Sequence, residues 1–198
     1  MKNIAFIINP ISGAKETQNA KRKLPKLIMQ TLDMEQWLPN IVFTEYAGHA
    51  TELAHQYARM GFDAVVAVGG DGTVNEIAAS LVQTPTALAI VPSGSGNGLA
   101  RHLQLPMDMP RAIEVINQAE IHALDYGTLN GHPFFCTCGL GFDALISLKF
   151  AEAGRRGPMA YAENMIKEGF KYKPERYIIK YKSADGEAMI FWSRKPSW

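Results

Sequence analysis

Short apolar runs of strand length alternate with helically spaced segments along the first 120 residues. Uninterrupted apolar runs occupy residues 64–68 and 87–91, and an earlier run ends at Ile8. In residues 50–60, by contrast, apolar side chains recur at intervals of three and four, as on one face of a helix. Continuously apolar strands that alternate with helices are typical of a parallel sheet covered on both faces. The pattern therefore predicts an α/β fold for this part of the chain.

The pattern also sets expected element boundaries. The first helix is predicted to begin near residue 23, because Pro25 is tolerated only in a first turn. A short second strand is predicted at residues 41–43, and a helix at Thr73 or Val74 is expected to follow the strand that ends at Val68.

The pattern of apolar and polar residues changes near Ile121. Asn130-Gly131 separates two strand-like segments, residues 125–129 and 133–138, which predicts a β-hairpin. Further strands are predicted at residues 176–181 and 188–192, and helices at residues 140–150 and 159–170. We therefore predict an α/β domain over residues 1–120 and an incomplete β-rich domain over residues 121–198.

Charge and cysteine content narrow the classes of partner. The 198 residues include 20 Lys and Arg against 19 Asp and Glu, so no nucleic-acid partner is expected. Lys21-Arg22-Lys23 is interpreted as a solvated helix face, with membrane contact as the alternative. Cys136 and Cys138 are too close for an unstrained disulfide and are expected to be reduced thiols. Without a long apolar segment, we expect a cytoplasmic protein, at most peripheral to a membrane.

A glycine-rich loop follows the strand at residues 64–68. Gly69, Gly70 and Gly72 leave backbone N–H groups accessible to an anion, and a following helix would add its positive end. Asp71 is unusual there, because a carboxylate repels phosphate. It is interpreted either as a magnesium contact or general base, or as the cap of the following helix.

A second loop, residues 94–98, follows the next strand and offers hydroxyl and amide groups suited to ribose and phosphates. Neither loop is a Walker A loop, because no Gly-Lys-Ser/Thr follows the glycines. Residues 139–144 match the dinucleotide pattern G-x-G-x-x-A but follow a hairpin strand, which disfavours a Rossmann site. The five histidines show no zinc-binding spacing.

Five motifs occur in order along the chain: Asn9-Pro10-x-Ser12-Gly13, Thr44-x-x-x-Gly48-His49-Ala50, Gly69-Gly70-Asp71-Gly72-Thr73-x-Asn75-Glu76, Pro92-x-Gly94-Ser95-Gly96-Asn97-x-x-Ala100-Arg101 and Gly141-Phe142-Asp143-Ala144. In their order and spacing they resemble the diacylglycerol kinase catalytic family, which includes bacterial lipid kinases and sphingosine kinases. The resemblance implies a lipid kinase that uses ATP and Mg²⁺, with a nucleotide-binding α/β domain followed by a lipid-binding β-sandwich. It also implies a lipid substrate taken from a membrane surface.

The resemblance implies roles for individual residues. Asp71 would be the catalytic acid nearest the transferred phosphate, and Asp143 would lie toward the lipid hydroxyl. The residues expected to hold ATP are Asn9, Ser12, Thr44, Gly70, Asp71, Gly72, Thr73, Asn75, Glu76, Gly94, Ser95, Gly96 and Asn97. The metal ligands are not identified.

Two departures from the family pattern keep alternatives open. Ser95 stands where Thr is usual and Gly98 where Asp is common, a form closer to sphingosine kinases. Family members are also usually longer, so we expect this chain to bind nucleotide but to be weak as a kinase. Unpaired strand edges in the second domain would favour a homodimer. The alternatives are a kinase of a soluble nucleotide, similar to NAD kinase, and a nucleotide-binding protein without catalysis.

Overall fold

The computed structural model describes residues 1–152, 178–182 and 188–192. The chain divides into two compact units, Met1–Cys138 and Gly139–Trp198. The elements of the first unit, in chain order, are β1 Lys2–Ile8, α1 Lys15–Lys21, α2 Leu24–Thr31, β2 Trp37–Phe43, α3 His49–Arg59, β3 Ala64–Gly69, α4 Asp71–Leu81, β4 Ala87–Pro92, α5 Gly98–His102, α6 Met109–Asn117, β5 Gly127–Leu129 and β6 His132–Phe134. Those of the second are α7 Phe142–Glu152, β7 Ile178–Lys182 and β8 Ala188–Trp192.

The first unit is built on a four-stranded parallel sheet with the order β2-β1-β3-β4. The register aligns Ile8 with Phe43 on one side and with Val68 on the other. Val68 in turn lies opposite Val91. The predicted α/β architecture with a parallel sheet is confirmed, and the ends of all four strands meet at one edge.

Both faces of the sheet are covered because successive strand side chains point in opposite directions. Residues Ile4–Ile8 of β1 are fully buried, and burial of each large side chain contributes about 1.5–3 kcal/mol. On one face Phe6 and Val66 pack with residues of α2 and α6. On the other face, Ile7 and Val65 pack with residues of α3 and α4.

Three boundaries differ from the predicted ones. The helix predicted to begin near residue 23 is α2, which has Pro25 in its first turn. A polar helix that was not predicted, α1, precedes it. Helix α4 begins at Asp71 rather than at Thr73 or Val74. Strand β2 begins at Trp37, and its Pro39 is tolerated because β2 is an edge strand of the described sheet.

The predicted hairpin is confirmed and is shorter than expected. Strands β5 and β6 pair antiparallel across Asn130 and Gly131, whose φ values of 51° and 82° suit a tight hairpin turn. The hairpin belongs to the first compact unit, where β6 packs against α4. Cys136 and Cys138, just beyond it, are exposed free thiols. The predicted domain division after residue 120 stays a prediction.

The second unit contains α7 and an antiparallel pair, β7 with β8, in which Ile178 lies opposite Trp192. The strands agree with those expected from the sequence, whereas the predicted helix over residues 159–170 lies outside the described residues. Among the described helices, none is long and apolar enough to span a membrane. The β-sandwich and the homodimer stay predictions.

Candidate functional site

Four loops leave the sheet side by side at the carboxyl ends of its strands, where open α/β sheets bind ligands. Each loop is fixed to its neighbour by a backbone hydrogen bond. These bonds, each 2.9 Å long, run from Asn9 N–H to Val68 O, from Thr44 N–H to Ile8 O, and from Ser93 N–H to Gly69 O. The predicted motif residues of the first unit therefore begin from one continuous, hydrogen-bonded edge.

The loop after β1 is closed by a buried lysine. Lys21, at the end of α1, is 1% exposed, and its Nζ donates to the carbonyl oxygens of Asn9 at 2.8 Å and Ser12 at 2.7 Å. The ammonium also donates to Ser12 Oγ. The interpretation of Lys21-Arg22-Lys23 as a solvated face is therefore wrong for Lys21, although Arg22 and Lys23 are exposed. The hydroxyl of Ser12 is buried in the loop rather than presented to solvent.

Asn9 joins this loop to the start of α4. Its Oδ1 accepts from the Ile11 N–H at 3.1 Å, and its Nδ2 donates to the hydroxyl of Thr73 at 3.0 Å. Thr73 is buried. Both predicted ATP-binding side chains therefore contact each other, and they fix the first loop against the glycine loop.

The two glycine loops touch through their backbones. A Cβ at Gly70 would lie 3.2 Å from the Cα of Gly94, and a Cβ at Gly94 would overlap the Gly70 backbone. A Cβ at Gly13, whose φ is 83°, would overlap the carbonyl oxygen of Ser93. Because three loops approach within van der Waals distance, Gly13 and Gly94 leave no room for a side chain, and Gly70 leaves little.

Asp71 bridges the two glycine loops. Its Oδ2 accepts from the Asn97 N–H at 2.9 Å, and its Oδ1 accepts from the Gly98 N–H at 2.6 Å. The residue at the cap position of α4 is Gly70, and Asp71 is the first residue of the helix itself. The carboxylate is exposed, so it remains accessible from the crevice while it holds the second loop. The interpretation of Asp71 as the cap of the following helix is therefore wrong.

The loop after β4 is stabilised mainly from within. The Asn97 side chain accepts from the Gly94 N–H and donates to the Gly94 carbonyl oxygen, both at 2.9 Å. Asn97 itself has φ of 57°, a left-handed conformation that asparagine adopts more readily than most residues. Arg101 Nε donates to the Gly96 carbonyl oxygen at 2.9 Å. Both polar ends of Asn97 are therefore used in shaping the loop.

The loop after β2 contacts α4 through Glu76. Burial raises the pKa of the Glu76 carboxyl above its ordinary value, and the neighbouring Gly48 backbone N–H offsets only part of this rise. Thr44 lies at the start of the loop and is half-buried. Glu76 is thus a carboxylate held partly out of water, one helical turn and a half beyond Asp71.

The remaining predicted residues of this edge are Gly72, Asn75, Ser95 and Gly96, which are all exposed. A Cβ at Gly72 would meet nothing within 4 Å, whereas one at Gly96 would lie 2.7 Å from Asp71 Oδ2. The N–H groups of the first turn of α4 precede the first intrahelical bond, from Val74 N–H to Gly70 O. Open space thus lies beside backbone donors at Gly72.

One predicted site residue belongs to the second compact unit. Asp143 lies in the first turn of α7, and its position near a lipid hydroxyl stays a prediction. Among the described side chains, no group of three or more His, Cys, Asp or Glu is placed to hold a metal ion.

The sequence model of the diacylglycerol kinase catalytic domain matches residues 3–129, which include all four loops at this edge. The chain belongs to this family. Among its relatives, the diacylglycerol kinase of Staphylococcus saprophyticus is 31% identical over 200 residues, covering 96% of this chain and 63% of the relative. That of Staphylococcus haemolyticus is 32% identical, covering 96% of this chain and 59% of the relative. This member of the family thus spans about 60% of the length of these relatives.

Solved structures agree on the fold. A diacylglycerol kinase from Bacillus anthracis superposes with a TM-score of 0.69 at 24% identity, over 96% of this chain and 61% of the other. The parallel sheet with its covering helices is therefore the fold shared with diacylglycerol kinases.

Two buried polar residues of this family member were not recognised from the sequence: Lys21 was interpreted as solvated, and Ser93 was given no role. Lys21 closes the loop after β1, and Ser93, the first residue after β4, is 4% exposed. The Ser93 hydroxyl has no hydrogen-bond partner among the described residues. The sequence gives no signal for either residue: Lys21 lies within a polar segment, and Ser93 occupies an unspecified position of its motif.

Proposed function

We propose that this chain binds MgATP at the carboxyl edge of its parallel sheet and transfers the γ-phosphate to the hydroxyl of diacylglycerol or a related lipid. The lipid would reach the site from a membrane surface. The observation that carries the proposal is the contact between the glycine loops, beside the open backbone at Gly72 and the first turn of α4.

The geometry suits a phosphate chain. Glycines at the contact let two backbones approach, and the free N–H groups at the start of α4 favour an anion, helped by the helix dipole. The side chains of Asn9, Ser12 and Asn97 bond within and between the loops, so the cradle is shaped before a ligand arrives. Preorganisation of this kind lowers the ordering cost of binding.

The transfer step is a displacement at phosphorus. The lipid hydroxyl oxygen forms a bond to the γ-phosphorus, the bond from that phosphorus to the bridging oxygen of ADP breaks, and the hydroxyl proton leaves to a base. Alignment and charge neutralisation supply most of the catalysis in such reactions. Asp71 is our candidate for the base, because its carboxylate is exposed at the cradle and has acceptor capacity beyond its two N–H partners.

The residues present also fit Mg²⁺. This ion is usually bound by one or two carboxylates together with substrate phosphates and water, and Asp71 offers a carboxylate at the phosphate cradle. The ion would neutralise charge on the phosphates.

The proposed lipid specificity rests on the relatives, which carry the name diacylglycerol kinase, and on the membership of this chain in that family.

Calorimetry with MgATP tests the placement of the phosphates. We expect binding by the parent chain and a loss of at least about tenfold in Gly72→Ala, because the added methyl would occupy the open space beside the backbone donors. Thermal melting of the same variant checks the fold, which the substitution should not perturb. Unchanged affinity in Gly72→Ala would place the phosphates elsewhere.

Radiolabel transfer from ATP to a panel of diacylglycerol, sphingosine and NAD tests the reaction. Asp71→Asn should lose transfer to lipid. Asp63→Asn is the matched control, because Asp63 also accepts a backbone N–H, from Asn3 at 2.7 Å, but precedes β3 at the opposite edge. Preferential labelling of NAD would overturn the lipid assignment, and full activity of Asp71→Asn would remove Asp71 from catalysis.

A further inference from the structure

Tyr46 is an exposed aromatic side chain in the loop after β2, at the carboxyl edge of the parallel sheet. It follows Thr44, whose backbone is bonded to the end of β1, and it is 54% exposed. Large exposed aromatic rings are common at binding surfaces, where they offer much contact area with few rotatable bonds. The sequence motifs leave position 46 unspecified, so the family pattern gives this residue no role.

The ring of Tyr46 is held in one orientation. The His49 imidazole stacks on it with centroids 4.5 Å apart and planes within 6°. The Tyr46 hydroxyl donates to Glu52 Oε2 at 2.7 Å, and this bond raises the pKa of Tyr46 above its ordinary value. His49 is itself fixed, because its Nδ1 accepts from the Glu45 N–H at 3.1 Å. One face of the tyrosine is therefore covered by imidazole, and its exposure comes from the other face.

The tyrosine is also fixed relative to the phosphate cradle. The loop that carries Tyr46 leaves β2, and the glycine loop at residues 69–72 leaves β3. The sheet order places these two strands on either side of β1, or about 10 Å apart at the usual strand spacing. The aromatic face and the start of α4 therefore border the same crevice at the carboxyl ends of the strands, within one compact unit.

We propose that the outer face of Tyr46 stacks on the purine base of the bound nucleotide, with His49 supporting the ring from behind. The proposal rests on the proposed function, since it assumes that phosphates occupy the glycine cradle. Stacking on a ring face recognises the presence of a base more than its identity, because every base has a π-face. Tyr46 is then a specificity residue that separates nucleotides from free polyphosphates.

Calorimetry with ATP, GTP and inorganic tripolyphosphate distinguishes the contributions of base and phosphate. Tyr46→Ala should weaken ATP and GTP binding by about tenfold, or ~1.4 kcal/mol, and leave tripolyphosphate unchanged. Tyr46→Phe keeps the ring and should stay within about threefold of the parent. Met60→Ala is the control, because Met60 is equally exposed and lies at the opposite end of α3 from His49.

A second measurement uses ethenoadenosine triphosphate, whose fluorescence is quenched when its base stacks. We expect quenching with the parent and with Tyr46→Phe, but not with Tyr46→Ala at saturating concentration. ATP binding that is unchanged in Tyr46→Ala would overturn the role of Tyr46 and leave the proposed function standing. Equal losses for ATP and tripolyphosphate would also overturn it, and failure of the parent to bind ATP would overturn both proposals.

Discussion

Replacement of Lys21 by methionine removes the ammonium that closes the first loop and keeps an unbranched side chain of similar length. Lys21 is 1% exposed and donates to the carbonyl oxygens of Asn9 and Ser12 at 2.8 and 2.7 Å. Methionine can fill the apolar part of this space but donates no hydrogen bond. Both carbonyl groups therefore lose the ammonium as a hydrogen-bond donor, and the methionine side chain does not replace it.

The magnitude follows from two opposing contributions. The Ser12 carbonyl loses the ammonium, which costs about 1–3 kcal/mol, whereas the Asn9 carbonyl still accepts from the Ser12 hydroxyl at 3.3 Å and loses about 0.5–1.5 kcal/mol. The two losses together amount to about 1.5–4.5 kcal/mol. Removal of the ammonium also relieves the part of its desolvation cost that its hydrogen bonds do not offset, which reduces the loss. We expect Lys21→Met to lower the free energy of unfolding by about 1–3 kcal/mol. For a chain of this size the melting temperature should fall by about 2–12 °C.

Thermal melting followed by circular dichroism measures this loss directly. Lys26→Met is the control, because Lys26 is exposed on α2 and the same change there should alter stability by no more than about 0.5 kcal/mol. The affinity for MgATP should fall as well, because the loop from Asn9 to Ser12 borders the cradle. If Lys21→Met and Lys26→Met melt together, the ammonium does not hold this loop, and our account of the first loop is wrong.

Three further predictions concern the same edge. Ser93→Ala should leave stability unchanged or raise it by about 1 kcal/mol, because the hydroxyl is buried without a partner among the described residues; Ser80→Ala, equally buried but bonded to Glu76 O at 2.9 Å, should cost about 0.5–1.5 kcal/mol in urea unfolding. Gly94→Ala should destabilise the fold by about 1–3 kcal/mol in the same assay, whereas Gly72→Ala should not. Burial raises the pKa of Glu76, so ionisation of this carboxyl lowers the free energy of unfolding. This loss is absent below pH 4.5 and complete above the raised pKa. The stability of Glu76→Gln should therefore increase relative to the parent as pH rises, and a difference independent of pH would contradict this.

The sheet could be predicted because its central strands are buried on both faces. The central strands β1 and β3 contain unbroken apolar runs in the sequence, and the edge strand β4 carries a similar run. Because parallel strands end at the same edge of a sheet, the loops that follow them could be placed together. The Asn130-Gly131 hairpin was predicted for a similar local reason, since the turn needs two residues that adopt positive φ.

Helix α1 could not be predicted, because its stability does not come from an apolar face. Its seven residues are polar apart from one alanine, and it follows Gly13 without a side-chain cap. It is held instead by Lys21 and by Gln18, whose Nε2 donates to the carbonyl oxygens of Ile11 at 3.0 Å and Gly13 at 3.2 Å. Such bonds depend on how the loop folds back, which periodicity does not describe.

The role of Asp71 shows the same difference between local pattern and tertiary structure. From sequence, Asp71 was open to interpretation as a metal contact, a general base or a helix cap, all of which concern its own loop. Its partners are the N–H groups of Asn97 and Gly98, 26 and 27 residues away, and they come within reach only because β3 and β4 pair in register. The carboxylate therefore holds the two loops together before it meets any ligand.

This arrangement changes how variants of the polar motif residues should be interpreted. Asn9, Asn97 and Asp71 all use side-chain atoms to bond other parts of the loops, whereas the open space beside Gly72 is bordered by backbone N–H groups. A substitution at any of the three would alter the shape of the cradle even if its side chain never touched a nucleotide. Loss of affinity in such variants therefore does not identify a ligand contact, but loss in Gly72→Ala with an unchanged melting temperature does.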